Sequence, residues 1–168
     1  MGSVAIFWMQ LLVSCAVVSL VAAWYIWPLL LKIPRNSALI LLLFVHVPRY
    51  VGMTELVPGM IDPNLPDLFI SSAAYGDLLE AALALASILA LRSNWRHAVP
   101  LVWIANTWGF LDLLNGVRGV LQLNVPSFNL ATLWYVYTFY APLVLISHLL
   151  IFGILIKSRS WKRALDIA

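Results

Sequence analysis

The sequence predicts an all-α integral membrane protein, a five-transmembrane-helix bundle with its N-terminus outside and its C-terminus cytoplasmic, and three observations predict it. The 168 residues are 63% hydrophobic and only 10% charged, with a mean hydropathy of +0.95, well beyond a soluble domain of this length. Five apolar runs, near 4–31, 37–57, 72–92, 98–120 and 131–156, each reach the roughly 20 residues a helix needs to cross a hydrocarbon layer about 30 Å thick. Lys32 and Arg35, Arg92 and Arg96, and Lys157, Arg159, Lys162 and Arg163 all fall on one side of that arrangement, which makes it the cytoplasmic side.

The remaining composition agrees. Connections on the opposite side hold Asp62 and Asp67, with Arg118 as the nearby cation. Trp24, Trp27, Trp95 and Trp161 fit the inner interface, and Trp134, Tyr135 and Tyr137 the outer one. The net charge of +3 therefore reports topology, and nucleic acid is not an expected partner. The short connections leave residues 1–168 as a single transmembrane domain, and a bacterial inner (plasma) membrane is the expected location. An odd span count argues against an inverted duplication.

Span one (4–31) carries Gln10, Ser14, Cys15 and Ser19 but no ionisable acid or base at depth, so it is expected to pack outside the bundle. Without a basic leader segment and with so long an apolar run, it reads as a retained helix rather than a cleaved signal peptide. The single Cys15 allows no intrachain disulfide and is expected as a buried thiol. In span two (37–57), Pro48 removes the bond to the Phe44 carbonyl and kinks the helix between His46 and Arg49. The freed carbonyl becomes available to a ligand or water. Glu55, nine residues past His46, falls on the opposite face of an α-helix and is expected at the outer interface.

The connection "PGMIDPNLPDLFISS" is expected to form an ordered outer lid, with Asn64 capping a turn near Leu65 and Pro66. Spans three (72–92) and four (98–120) follow, and Ser127 or Asn129 are candidate caps for span five (131–156).

Spans two to five each hold ionisable groups at depth, where hydrocarbon makes them costly and turns them toward a protein interior. At ~1.5 Å per residue from the inner end, His46, Asn106 and His148 fall near ~14, ~13 and ~12 Å. Arg49 and Glu80 fall near ~18 Å, Asp112 near ~21 Å, Asp77 near ~22 Å and Asn115 near ~26 Å. The result is two layers. His46 with Arg49, Asp77 with Glu80, and Asp112 with Asn115 are each three residues apart and so share a helix face. Small residues line those faces, Ala73, Ala81, Ala84 and Ser87 on span three and Gly109, Gly116 and Gly119 on span four, allowing close helix approach or room for a ligand.

Arg49 holds its proton and requires counter-charge, so at least one of Asp77, Glu80 and Asp112 is expected to pair with it. A surplus buried carboxyl is expected to hold a proton rather than a bare charge, the arrangement from which acid–base chemistry is built. The sequence thus predicts a membrane-embedded enzyme for a lipophilic small molecule of the isoprenoid, sterol-like or quinone class. Arg49, Asp77, Glu80 and Asp112 are the expected catalytic groups, and isomerisation, cyclisation and hydrolysis all fit. His46, Asn106, Asn115, Tyr137 and His148 are expected to bind the substrate, Tyr137 and His148 lying on nearly one face of span five.

Two other classes compete. One is a proton-coupled carrier, working as a homo-oligomer because five helices offer little room for alternating access. The other is a structural or haem-binding subunit of a membrane complex, with His46 and His148 as axial ligands of haem b. No cofactor is expected beyond that alternative. A metal site from His46, Asp77, Glu80, Asp112 and His148 can be assembled, but Arg49 beside the cation opposes it and the Glu-x-x-His pairs of di-iron bundles are absent, so no metal is expected. There is no Walker loop, Gly-x-Ser-x-Gly, His-Glu-x-x-His, Cys-x-x-Cys or tandem carboxylate motif.

Overall fold

The computed structural model describes residues 2–157, so the expected inner-side residues Arg159, Trp161, Lys162 and Arg163 lie outside the described residues. Five long helical segments occur and, among the described residues, no strand. They are α1 (Ser3–Leu30), α2 (Arg35–Leu56), α3 (Asp67–Arg92), α4 (Ala98–Gln122) and α5 (Leu133–Ile156). Four of them, α1, α2, α3 and α5, are long and apolar enough to cross a membrane. The 25-residue α4 has the length, but Asn106, Thr107, Asp112, Asn115 and Arg118 lower its hydropathy.

Prolines explain the irregularities inside these helices. Pro28 and Pro142 each follow by two residues a five-residue π segment, Ala22–Ile26 in α1 and Val136–Tyr140 in α5. A proline has no N–H for its own turn and its ring crowds the carbonyl four residues back, and a wider turn relieves both. Pro48 acts more strongly. α2 is α-helical only over Arg35–Leu43, then turns and continues as a 3-10 helix over Val47–Leu56, with Val45, His46 and Arg49 donating to carbonyls three residues back. The α3 and α4 C-termini are followed by Asn94 and Asn124 in the left-handed region, φ 52° and 49°, which asparagine tolerates.

α3 packs against the 3-10 half of α2 and against α4, while α5 bridges α1, α2 and α4. One apolar core lies toward the basic end, around Leu39, Leu43, Leu91, Val102, Ile151 and Ile154. A second, around Phe7, Leu65, Val125, Leu130 and Leu133, lies at the N-terminal end. The polar residues sit between the two.

α1 does more than pack outside. Phe7 is buried, with its ring edge against Trp134, and Gln10 accepts a bond from Trp134 Nε1 at 2.6 Å. The connections at this end are tied together, the Asp62 N–H donating to the Asn129 carbonyl at 3.0 Å and the Asn129 N–H to Asp62 Oδ2 at 3.2 Å. Backbone N–H groups of Asn64 and Asn129, and then the Asn64 amide, hold the Asp62 carboxyl below its ordinary range. Asn64 therefore folds back on Asp62 instead of capping a helix. Ser127 and Asn129 likewise bond within their own loop and do not cap α5.

Candidate functional site

The 3-10 half of α2 sets the geometry of the site. At three residues per turn, positions three apart eclipse one another, so His46, Arg49, Gly52 and Glu55 form a single row, and all four are buried. Glu55 is thus not an interfacial charge on the far face. It is 5% exposed and accepts a bond from the Tyr137 hydroxyl at 2.9 Å.

Arg49 is held on three sides. Its Nε donates to Asp77 Oδ1 at 2.7 Å, its Nη2 to Asp112 Oδ2 at 2.6 Å and its Nη1 to the Gly109 carbonyl at 3.2 Å. Nη2 also lies 2.6 Å from Asp77 Oδ1. Two of the three expected acids therefore pair with Arg49. Glu80 does not bond to it and belongs to the other layer, with Oε1 3.6 Å from His46 Nδ1.

Close helix approach makes this possible. A Cβ on Gly52 would collide with the Asp77 carboxylate, one on Gly76 with Asp112, and one on Gly109 with Glu80. Each acid lies in a groove that a missing side chain on the neighbouring helix leaves open.

A cavity of about 130 Å³ opens beside the ion triad, with walls from all five helices. At about 10–15 Å³ per water-sized occupant, it admits a small molecule or part of a larger one. Arg49, Asp77, Asp112, Glu55, Tyr137 and Tyr140 supply its polar surface, and Phe7, Leu11, Phe69, Val120 and Val144 are among its apolar walls. The rim residues Ser72, Asn115 and Val117 are exposed, so it opens on the flank of the bundle. Among the described residues, none from 57–66 lines it, and the proline-rich connection is not its roof.

His46, Asn106 and His148 are not brought to that cavity. Asn106 is 1% exposed and fully engaged by His148, its Nδ2 donating to the backbone carbonyl at 3.3 Å and its Oδ1 facing ring Nδ1 at 2.9 Å. The π segment Val136–Tyr140 also breaks the α-helical register that placed Tyr137 above His148. The His46 and His148 rings lie side by side, centroids 4.2 Å apart. Axial ligation of haem needs a porphyrin between two such rings, and none fits in that contact.

Beside the kink, the Val45 carbonyl accepts from the Tyr140 hydroxyl at 2.6 Å and the Leu42 carbonyl from Ser147 at 3.2 Å, so α5 engages both. Tyr140, Ser147, Gly52 and Gly76 were not singled out by sequence reasoning, whereas Gly109 was expected to allow close helix approach and does so against Glu80. The signal for Glu55 was available, since three-residue spacing from His46 to Glu55 begins beside a proline.

Among known families, the one described as a domain of unknown function, DUF8737, matches residues 6–156. Neither a curated protein nor a solved structure matches the chain.

Proposed function

The chain belongs to the DUF8737 family, and from the chemistry of its own site we propose that it is a membrane-embedded enzyme acting on a lipophilic small molecule by general acid–base catalysis. One observation carries this reading: a single cavity joins apolar walls to carboxylates, a guanidinium and phenols at depth. The apolar wall suits an isoprenoid, sterol-like or quinone substrate, entering from the flank of the bundle. Asp77 and Asp112, held by Arg49, are 20% and 14% exposed at their side chains and serve as proton acceptor or water activator. The Glu55–Tyr137 pair on another wall serves as proton donor, and Asn115 at the rim orients the substrate. Two groups handling protons on separate walls support isomerisation, cyclisation or hydrolysis.

Insertion belongs to the same proposal: five crossings in a bacterial inner membrane, N-terminus outside and C-terminus cytoplasmic. Lys32, Arg35, Arg92, Arg96 and Lys157 fall at one end and Asp62 and Asp67 at the other, which supports that orientation.

The test is to incubate the detergent-purified protein with the isoprenoid and quinone fractions of bacterial membranes and compare products by chromatography and mass spectrometry. Wild type is expected to give a product that Asp77→Asn, Asp112→Asn and Tyr137→Phe reduce by about 10²–10⁴-fold while still assembling. A pH-dependent flux across vesicles that Asp77→Asn abolishes, without any conversion, would establish the carrier reading instead. Retention of function after replacing Arg49, Asp77 and Asp112 together with apolar residues would leave only a structural role.

A further inference from the structure

Below the Arg49 layer lies a second cluster that acid–base chemistry in the cavity does not use. His46, Glu80 and His148 come from α2, α3 and α5, and each is 0% exposed. One ligand atom from each lies within 4.8 Å of the others. His46 Nδ1, both carboxylate oxygens of Glu80 and His148 Nε2 lack a hydrogen-bond partner among the described residues. Buried polar atoms without partners are rare and costly, and here they face one another.

The outward nitrogens decide what the inward ones are. Ser147 gives its only hydroxyl proton to the Leu42 carbonyl at 3.2 Å, so toward His46 Nε2, 3.1 Å away, it acts as acceptor. His46 Nε2 therefore carries the proton and Nδ1 presents a lone pair. Asn106 donates through Nδ2 to the His148 carbonyl and turns Oδ1 toward ring Nδ1. His148 Nδ1 carries that proton and Nε2 presents a lone pair. Two neutral imidazoles, each fixed by a neighbour's acceptor, and one carboxylate thus aim acceptors at a shared point. Such supports are what orient metal-ligating histidines.

Charge points the same way. Asp77, Asp112, Glu80 and Glu55 outnumber Arg49 between the two apolar cores, an excess of acid that a bound cation offsets. The objection that Arg49 repels a cation is met by its geometry, since its guanidinium is engaged by Asp77, Asp112 and Gly109. Ligand atoms about 2.1 Å from an ion with tetrahedral angles stand about 3.4 Å apart, close to the 3.6 Å between His46 Nδ1 and Glu80 Oε1.

We propose that His46 Nδ1, Glu80 and His148 Nε2 form a binding site for one divalent transition-metal ion of the zinc, iron(II), cobalt(II) or manganese(II) class. Imidazole ligands disfavour calcium and magnesium. Ser147 and Asn106 are positioning residues that set the imidazole tautomers. None of the three ligands lines the cavity, so metal binding can be measured apart from the proposed catalysis.

The test uses the full chain in detergent, stripped with a chelator and titrated with Co²⁺ and, separately, Zn²⁺. Wild type is expected to take up one ion per chain, with ligand-field absorption of a nitrogen–oxygen site, and to melt at a higher temperature with the metal. Glu80→Gln and His148→Gln should abolish high-affinity binding. Asn106→Ala and Ser147→Ala should weaken it by roughly 10- to 100-fold. Asp77→Asn should retain one ion per chain, which separates this site from the cavity. The alternative is a protonated Glu80 with no ion. An infrared band of a protonated carboxyl that persists in metal-treated wild type and disappears in Glu80→Gln would overturn the proposal. So would unchanged Co²⁺ affinity in Glu80→Gln, or binding that His97→Ala removes.

Discussion

At the scale of single residues, the site depends on atoms that are missing. Gly52, Gly76 and Gly109 sit where a Cβ would enter the space of Asp77, Asp112 and Glu80. In an ordinary helix interior, glycine to alanine gains up to about 1 kcal/mol. At these positions the sign reverses, because the collision is with a carboxylate pinned by Arg49 or by its own burial and not with the free end of a flexible chain. Gly52→Ala, Gly76→Ala and Gly109→Ala are each expected to cost about 1–3 kcal/mol, the usual range for overpacking. Gly116 provides the contrast, as nothing lies within 4 Å of its Cβ position, and Gly116→Ala is expected to be neutral or mildly stabilising. Melting temperatures of the four variants in one detergent check this. Lowered values for Gly52, Gly76 and Gly109 beside an unchanged one for Gly116 are the expected pattern, and four equal values would show that the carboxylates yield readily.

At the scale of elements, the decisive one is the 3-10 half of α2. The three steps from His46 to Arg49 advance about 4.5 Å in an α-helix but about 6 Å in a 3-10 helix. The extra rise carries Arg49 away from Glu80 and toward Asp77 and Asp112. Glu80 is left with the histidines. Rotation matters as well: nine residues turn Glu55 by about half a circle relative to His46 at 3.6 residues per turn and by none at three. Pro48→Ala restores an N–H and is expected to draw this segment toward the α form, turning Glu55 from Tyr137. In wild type, Tyr137→Phe should cost about 1–3 kcal/mol by leaving a buried carboxylate oxygen unpartnered. In the Pro48→Ala background the same change should cost much less, a coupling that a double-mutant cycle on unfolding temperatures reads directly. The order of the long helices and the pairing of Arg49 with acids were legible in the sequence, because apolar runs and charge follow from counting along regular helices, although α3 begins at Asp67, five residues before its apolar run. The position of Glu55, the layer of Glu80 and the engagement of Asn106 were not, because each depends on local helix type or on which neighbour reaches a group first. Pro48 and Pro142 marked where regular counting fails, but not whether the chain would tighten to 3-10 or widen to π.

At the scale of the whole molecule, α4 stands apart from the four helices that are long and apolar enough to cross a membrane. Its hydropathy falls short of theirs, and the distribution of its side chains is what argues for a fifth crossing. Asn106 is buried against His148 and Asp112 is paired with Arg49, so those polar groups are turned into the bundle. Its outward surface shows Ile104 at 60% exposure, Leu111 at 58% and Leu121 at 60%, with Trp103, Trp108 and Leu114 beside them and Thr107, Asn115 and Arg118 as the exposed polar interruptions. In water that stripe would be a long exposed apolar patch of the kind soluble surfaces avoid. Against lipid it costs nothing. α4 is therefore expected to cross, which puts the α3–α4 and α4–α5 connections on opposite sides. The check starts from Cys15→Ser, which removes the only thiol. Met60→Cys, Ser93→Cys and Ser127→Cys are then introduced one at a time at exposed loop positions and treated with a membrane-impermeant thiol reagent on intact cells. Met60→Cys and Ser127→Cys should label at once, and Ser93→Cys only after the membrane is opened. Labelling at Ser93→Cys and Ser127→Cys from the same side would mean that α4 does not cross, and the reading of the cavity as open to membrane lipid would fail with it.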